Sequence, residues 1–211
     1  MMKLFKLLSV SALLLGAVTV ASAQEDASNK DSMAVSFGVK GGVNFATLDG
    51  GDIDSPDSRT SFHVGAFAEI PVAEIFSVQV EALYSGQGAE YDFRGSDGDK
   101  AELQLDYINV PVLAKFYIVK GLSIEVGPQF SFLVNDEFDF NPNSDNGDID
   151  LEDNPAAPDF KTFQVGAAGG LTFQTESGLF ATARYVRDLT DIAKDANIQN
   201  SVFQLGVGFK F

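Results

Sequence analysis

Few side chains in this chain of 211 residues could carry covalent chemistry. His63 is the only histidine, and the absence of cysteine excludes thiolate zinc sites and cysteine nucleophiles. A serine hydrolase would need His63 beside a serine and an acid, and Ser58 and Ser61 are close to it in sequence. However, no nucleophile motif surrounds either serine. Two hypotheses remain for His63: a catalytic base at the rim of a fold or, as we favour, a histidine with ordinary hydrogen bonds.

Carboxylates are abundant and could bind a cation. The tetrapeptide Gly-Asp-Ile-Asp occurs at 51–54 and again at 147–150. Alternating carboxylates with Gly and Asn can ligate Ca²⁺ through several oxygens, although neither segment has the twelve-residue EF-hand register. A solvated acidic surface and loose divalent bridging to lipopolysaccharide phosphates are the alternatives. The candidate Ca²⁺ ligands are Asp52, Asp54, Asp145, Asp148, Asp150 and Glu152. No other cofactor is predicted.

The composition combines strong negative charge with a large apolar fraction. The chain has 14 basic and 30 acidic residues, for a formal net charge of −16, yet 45% of its residues are hydrophobic and 19 are Phe. The negative charge argues against nucleic-acid binding, which needs a basic face. The apolar fraction argues against a disordered acidic chain. A folded domain that binds no nucleic acid is therefore expected.

The N-terminus has the organisation of a secretory signal peptide. Lys3 and Lys6 precede an apolar run at 7–20, and the small residues Ala21 and Ala23 follow it. The apolar run is shorter than the ~20 residues that a membrane-spanning helix needs. We expect cleavage after residue 23, which leaves a short polar segment at 24–32 and a single domain at 33–211.

Apolar and polar residues alternate with a period of two in eight segments of that domain. The last segment is the clearest, because Phe203, Leu205 and Val207 lie on one face and Gln204 and Gly206 on the other. Such alternation indicates β-strands with one apolar face. The predicted strands cover residues 35–47, 60–70, 75–91, 103–119, 122–134, 162–175, 179–187 and 202–211. Each is close to the ~9–11 residues with which a tilted strand crosses a bilayer.

The polar face of these strands is charged. Its charged members are Lys40, Glu69, Glu81, Lys115, Glu125, Arg184 and Lys210. An apolar exterior around a polar interior is typical of a transmembrane barrel. Four bases and three acids nearly balance, which favours an interior salt-bridge network that fills the lumen over a selectivity lining. Aromatic residues near strand ends are candidates for interfacial girdles, and the alternative is that some of them pack in loops: Tyr84, Tyr91, Tyr107, Tyr117 and Phe138.

Short and long connections alternate along the chain. Short links at 71–74, 120–121 and 176–178 alternate with long polar links at 48–59, 92–102, 135–159 and 187–201, which hold 20 of the 30 acidic residues. Outer-membrane barrels have short periplasmic turns and longer external loops. A sheet in lipid must also close, because no water satisfies an open edge. The sequence therefore predicts an all-β fold: an eight-stranded antiparallel up-and-down transmembrane barrel with short periplasmic turns and long acidic external loops.

Pro111, inside the fourth strand, predicts a bulge or irregular register. A soluble lipocalin-like barrel is the alternative fold.

The end of the chain resembles the assembly signal of outer-membrane barrels. That pattern is a polar residue, a hydrophobic residue, Gly, two variable positions, an aromatic, any residue and a terminal aromatic. The matching residues are Gln204, Leu205, Gly206, Phe209 and Phe211. The resemblance implies recognition by the barrel assembly machinery.

Most of the chain after residue 33 resembles the PorT-like outer-membrane β-barrel family of the Bacteroidetes. The matching stretches lie at 37–44, 107–116 and 184–192. The resemblance implies a small barrel in the outer membrane of a Gram-negative cell, and it transfers no chemical function.

The expected function is that of a non-enzymatic, monomeric barrel with a side-chain-filled lumen and a structural or surface-interaction role. Its expected partners are outer-membrane lipid and lipopolysaccharide, the assembly machinery and a surface or secretion protein. The alternatives are a narrow porin-like channel for small solutes and an accessory component of surface-protein secretion or adhesion.

Overall fold

A computed structural model of the chain describes residues 34–50, 57–92, 100–139, 148–150, 160–193 and 197–211. Its strands are β1 (Ser36–Gly50), β2 (Asp57–Ala73), β3 (Phe76–Asp92), β4 (Lys100–Val119), β5 (Leu122–Asp139), β6 (Asp148–Asp150), β7 (Phe163–Gln174), β8 (Leu179–Asp188) and β9 (Ile198–Lys210). No helix in these ranges is long and apolar enough to cross a membrane. The predicted signal peptide and the polar segment at 24–32 lie outside the described residues and stay predictions.

The eight long strands form one closed antiparallel sheet. Hydrogen bonds connect them in the order β4-β3-β2-β1-β9-β8-β7-β5, and β4 also pairs with β5. The first and last strands are neighbours, with Gly38 opposite Lys210 and Gly50 opposite Ile198. The three-residue β6 pairs with the far end of β5. The predicted eight-stranded antiparallel barrel is therefore confirmed.

The barrel reverses the burial pattern of a soluble protein. In β9, Phe203, Leu205 and Val207 are exposed on the outer surface, whereas Gln204 between them is buried. The other long strands follow the same rule, because successive side chains of a strand point to opposite faces. Large apolar side chains cover the outside, and charged, amide and hydroxyl groups lie inside, as in barrels whose outer face contacts lipid.

At one end of the barrel, which we call the turn end, three tight turns connect neighbouring strands. These turns lie at Glu74–Ile75, Lys120–Gly121 and residues 175–178. Gly121 and Gly178 have φ of +84° and +91°, a region that only glycine adopts at no steric cost. The opposite end, with the longer connections, is the loop end.

The strands continue beyond their predicted limits at the loop end. β5 extends to Asp139, five residues beyond its predicted end, and β9 begins at Ile198, four residues before its predicted start. The prediction relied on apolar alternation, which a strand needs only where it contacts lipid. Beyond that band, backbone pairing continues with polar outward side chains such as Asp49, Gln104 and Gln199.

Two local predictions on β4 are wrong. Pro111 pairs with Gln129 on β5 and the register does not shift there, although Pro111 itself has no partner on β3; the shifts between β4 and β5 fall at Asp106/Tyr107 and Tyr117/Val119 instead. A proline removes one hydrogen-bond donor from a ladder, but it does not require an inserted residue. Tyr107 and Tyr117 are also absent from the outer surface. Both share the inward face of β4, where Tyr107 is buried and the Tyr117 hydroxyl bonds to Glu69.

Candidate functional site

Four charged side chains meet inside the barrel and form what we call the charge cluster: Lys40, Glu81, Glu125 and Arg184. The Arg184 guanidinium donates from Nη1 and Nη2 to the two carboxylate oxygens of Glu81, at 2.8 and 2.7 Å. It also donates from Nε and Nη2 to Oε1 of Glu125, at 2.8 and 2.6 Å. Lys40 approaches Glu81 at 3.3 Å. Two bases and two acids make the cluster electrically neutral, which is the condition under which buried charges are tolerated.

The charge cluster spans the lumen because its members come from separated strands. Lys40 lies on β1, Glu81 on β3, Glu125 on β5 and Arg184 on β8. All four are at least 96% buried. Arg184 on β8 reaches Glu81 on β3, which lies opposite in the ring of eight strands, and Glu125 on β5, which lies two strands away. An eight-stranded barrel leaves an interior just wide enough for side chains, so the bond to Glu81 crosses the lumen.

A second group of charges lies closer to the turn end. Glu69 accepts from Lys115 at 2.9 Å and from Lys210 at 3.2 Å, and it also bonds the Tyr117 hydroxyl. Gln79 connects this group to the charge cluster, because its amide accepts from Lys115 at 3.1 Å and donates to Glu81 at 2.6 Å. All seven charged residues singled out in the sequence thus lie in two connected groups.

Aromatic rings pack into the lumen beside these charges. Phe67 and Phe180 are buried and meet edge to face, with 5.5 Å between ring centroids. A Cβ added to Gly38 would lie 2.3 Å from the Phe67 ring, and one added to Gly208 would lie 2.3 Å from the Phe180 ring. Glycine on the neighbouring strands therefore leaves the space that the two rings occupy.

His63 lies in an amide cluster on the inner wall. Its Nδ1 is 2.8 Å from Oδ1 of Asn44, which also accepts from Gln204 at 3.0 Å. Because Asn44 uses its amide nitrogen on Ser85 and on two backbone carbonyls, its Oδ1 faces donors, and Nδ1 of His63 carries the proton. Among the described residues, neither Ser58 nor Ser61 bonds to the imidazole, so these two serines form no hydrolase triad with His63 there.

An apolar cluster fills the lumen near the loop end. Its buried members are Leu48, Ala89, Leu103, Leu105, Tyr107, Ile192 and Ala193. Ile192 comes from the link between β8 and β9, which folds inward: its carbonyl accepts from the Lys161 amide at 2.8 Å and its amide donates to Ile198 at 2.8 Å. Side chains from one connection thus pack against the inner faces of β1, β3 and β4. We call this group the loop-end cluster.

A family model described as outer membrane protein beta-barrel domain matches residues 22–194. The chain belongs to this family. The match covers the barrel as far as the link after β8 and places the protein in the outer membrane. A comparison with curated proteins finds no match.

Solved structures of outer-membrane barrels share the fold. The attachment invasion locus protein Ail of Yersinia pestis is 13% identical, with a TM-score of 0.50, and the match covers 83% of this chain and 98% of Ail. Neisserial surface protein A is 14% identical, with a TM-score of 0.53, and the match covers 84% of this chain and 99% of that protein. At these identities the similarity concerns the fold alone.

In this outer-membrane barrel, the residues of the predicted assembly signal belong to β9 and the final residue. Leu205, Phe209 and Phe211 are exposed on the outer face, whereas Gln204 is buried inside. Gly206 lies where a Cβ would come within 3.1 Å of Nε2 of His63. The pattern thus places its large apolar residues on the outer surface and its amide inside the barrel.

The predicted Ca²⁺ ligands fall mostly outside the described residues. Asp52, Asp54, Asp145 and Glu152 lie in undescribed segments, and Asp148 and Asp150 belong to β6. Within the described part of the chain, no group of three or more His, Asp or Glu side chains is arranged to hold a metal ion.

Two charged interior residues were missed by the sequence analysis, because they lie in segments that it assigned to loops. Arg59 is buried, donates to the Gln87 carbonyl at 2.8 Å and pairs with Glu102. Asp188 is also buried, at the end of β8. If the alternation of inward and outward residues is continued along each strand, both residues fall on the inward face. This pattern could have identified them from the sequence.

Proposed function

We propose that the protein is a non-enzymatic, monomeric outer-membrane barrel with a closed lumen and a structural or surface-interaction role, related to the PorT-like barrels. A cleaved signal peptide exports it, and the barrel assembly machinery inserts it. The turn end faces the periplasm, and the loop end faces lipopolysaccharide and a surface or secretion partner. A closed lumen suits such a role, because contacts with a partner are made at the outer surface and need no passage through the barrel.

One observation carries this proposal. Arg184 reaches across the lumen to Glu81 and Glu125, so bonded side chains occupy the cross-section of the barrel. The paired rings of Phe67 and Phe180 lie towards the turn end of the lumen, and the loop-end cluster lies at its opposite end. A conducting pore would need these buried pairs to separate, and separating a buried pair leaves charges uncompensated at several kcal/mol.

Conductance tests the closed lumen against the alternative of a narrow channel. We expect purified, folded protein in planar lipid bilayers to give no steady single-channel steps. The sample must show heat-modifiable migration in detergent gels, so that a silent bilayer reflects folded barrel. Reproducible steps from such a sample would favour the porin-like alternative.

The assembly proposal predicts a variant that inserts poorly into the outer membrane of cells but refolds normally when purified. We expect Phe211→Ala to reduce strongly the amount of heat-modifiable barrel in the outer membrane. Refolding of the purified variant into detergent should remain close to that of the wild type, because the Phe211 ring is 70% exposed and makes little internal contact.

Phe203→Ala is the matched control for the assembly prediction. Phe203 lies on the same outward face of β9 but outside the terminal pattern, and it is 43% exposed. Equal accumulation of the Phe211 and Phe203 variants in cells would contradict a specific assembly role for the C-terminal residue.

A further inference from the structure

We propose that Asp188, with the carboxamides of Asn109, Gln129 and Gln164, forms a buried binding site for a monovalent metal cation in the loop half of the lumen. This site is separate from the charge cluster and is made by four consecutive strands of the barrel.

Strand register brings the four residues together. Gly166 on β7 pairs with Asp188 on β8 and with Gln129 on β5. Because Gly166 has no side chain, the space above it is open to its neighbours, and Oδ1 of Asp188 lies 2.6 Å from where a Cβ would stand. The Asp188 carboxylate thus extends over β7 towards Gln129.

The next inward row, two residues nearer the loop end on β5, completes the site. Ser131 on β5 pairs with Asn109 on β4 and with Gln164 on β7. Gln164 donates to the Tyr107 hydroxyl at 2.9 Å, and Asp188 is close enough to Tyr107 to act on it electrostatically. One carboxylate, three carboxamides and two hydroxyls therefore line the same part of the wall.

These polar groups lack partners to an unusual degree. Oδ1 and Nδ2 of Asn109, Oε1 of Gln129 and Oε1 of Gln164 are buried without a hydrogen bond. Buried polar atoms normally have a partner, and several unpaired atoms in one place call for a ligand. Three of these four atoms are oxygens, so the ligand must be one that oxygens bind.

Asp188 is the only carboxylate of the group, and none of the basic side chains that the structure describes pairs with it. It is 2% exposed. Every lysine and arginine whose side chain the structure describes pairs with a different acid. A buried carboxylate that stays ionised needs a compensating charge, and a single negative charge is balanced by a single positive one. A hard cation with carboxylate, carbonyl and hydroxyl ligands meets both requirements, and monovalent charge makes the site neutral.

The first test is a direct titration of the folded protein. The barrel is refolded in detergent micelles with ¹⁵N-labelled Asn and Gln, and NaCl or KCl is added at constant ionic strength against choline chloride. We expect saturable shifts of the side-chain amide signals of Asn109, Gln129 and Gln164 with Na⁺ or K⁺, and none with choline, which is too large for the site. Comparison of Na⁺ with K⁺ identifies the preferred ion. Unmoved amide signals with both metal ions would overturn the proposal.

The second test uses Asp188→Asn, which keeps the shape and removes the charge. In choline chloride, we expect the variant to unfold at a higher urea concentration than the wild type, because an uncompensated buried charge is gone. In the preferred metal chloride, at ten times its Kd, the unfolding equilibrium constant of the wild type should fall about elevenfold, and that of the variant should not change.

Asp191→Asn is the matched control. Asp191 lies three residues further along the chain, is partly exposed and pairs with Lys161 at 3.8 Å. Its variant should respond to the metal ion as the wild type does. The site would be refuted if choline stabilised the wild type as much as the metal ion does, or if Asp188→Asn kept the full response.

Discussion

Replacing Arg184 with alanine is expected to lower the free energy of unfolding by about 3–5 kcal/mol, the usual result of removing one partner from a buried ion pair. The guanidinium makes four charge-assisted hydrogen bonds to Glu81 and Glu125. Without it, Glu81 keeps only Lys40 as a basic partner among the described contacts, and Glu125 keeps only the Thr172 hydroxyl. The measurement is equilibrium urea unfolding of the barrel in lipid vesicles.

Arg187→Ala is the matched control for this variant. Arg187 is on the same strand, but its side chain points outwards and pairs with Asp49 at 2.8 Å, with both groups more than 40% exposed. An exposed pair contributes about 0–1 kcal/mol, so the control should remain close to the wild type. Equal effects of the two substitutions would contradict a central role for Arg184.

A third variant separates lost attraction from uncompensated charge. Arg184→Met combined with Glu81→Gln and Glu125→Gln removes the base and both acids together. We expect it to regain much of the stability lost in Arg184→Ala, because neutral replacement of a whole buried ionic group is often tolerated. Lys40 would then be the only charge left in the cluster, so full recovery is not expected.

The sequence was sufficient to predict the barrel, because a strand with period-two alternation has only two faces, and assigning one face to lipid places the other in the lumen. Once Phe203 and Leu205 are assigned to lipid, Gln204 must point inwards, and the same parity places Arg184 and Glu81 inside. Tight links at Lys120–Gly121 and near Gly178 indicate which strand ends lie together. These rules are local, and they hold for the strands that lie within the apolar band.

Which interior charges meet depends on closure, and alternation carries no information about that. Arg184 and Glu81 are 103 residues apart in the chain, and the stagger of all the intervening strands determines their contact. The loop-end cluster was missed for a different reason. Leu48 and Ile192 lie in segments that read as polar loops, and only the inward fold of the connection after β8 buries them.

The outward face should be intolerant of charge at mid-depth, and Val126→Arg tests this. Val126 is the fifth residue of β5 after the turn at Lys120–Gly121, and its side chain is 52% exposed. Because a strand crosses the bilayer in ~9–11 residues, this position lies near the midplane. We expect a loss of about 2–4 kcal/mol for arginine there, measured by urea unfolding in lipid vesicles.

Val119→Arg is the control that makes this result specific to a bilayer. Val119 is the last residue of β4, at the turn end, and its side chain is 59% exposed. The expected loss there is only about 0–1 kcal/mol, because the guanidinium reaches the interfacial region. In a soluble barrel both positions would face water, and arginine would be tolerated equally at each. A difference between two similarly exposed valines therefore depends on depth in lipid, and its absence would contradict the membrane-spanning orientation of β5.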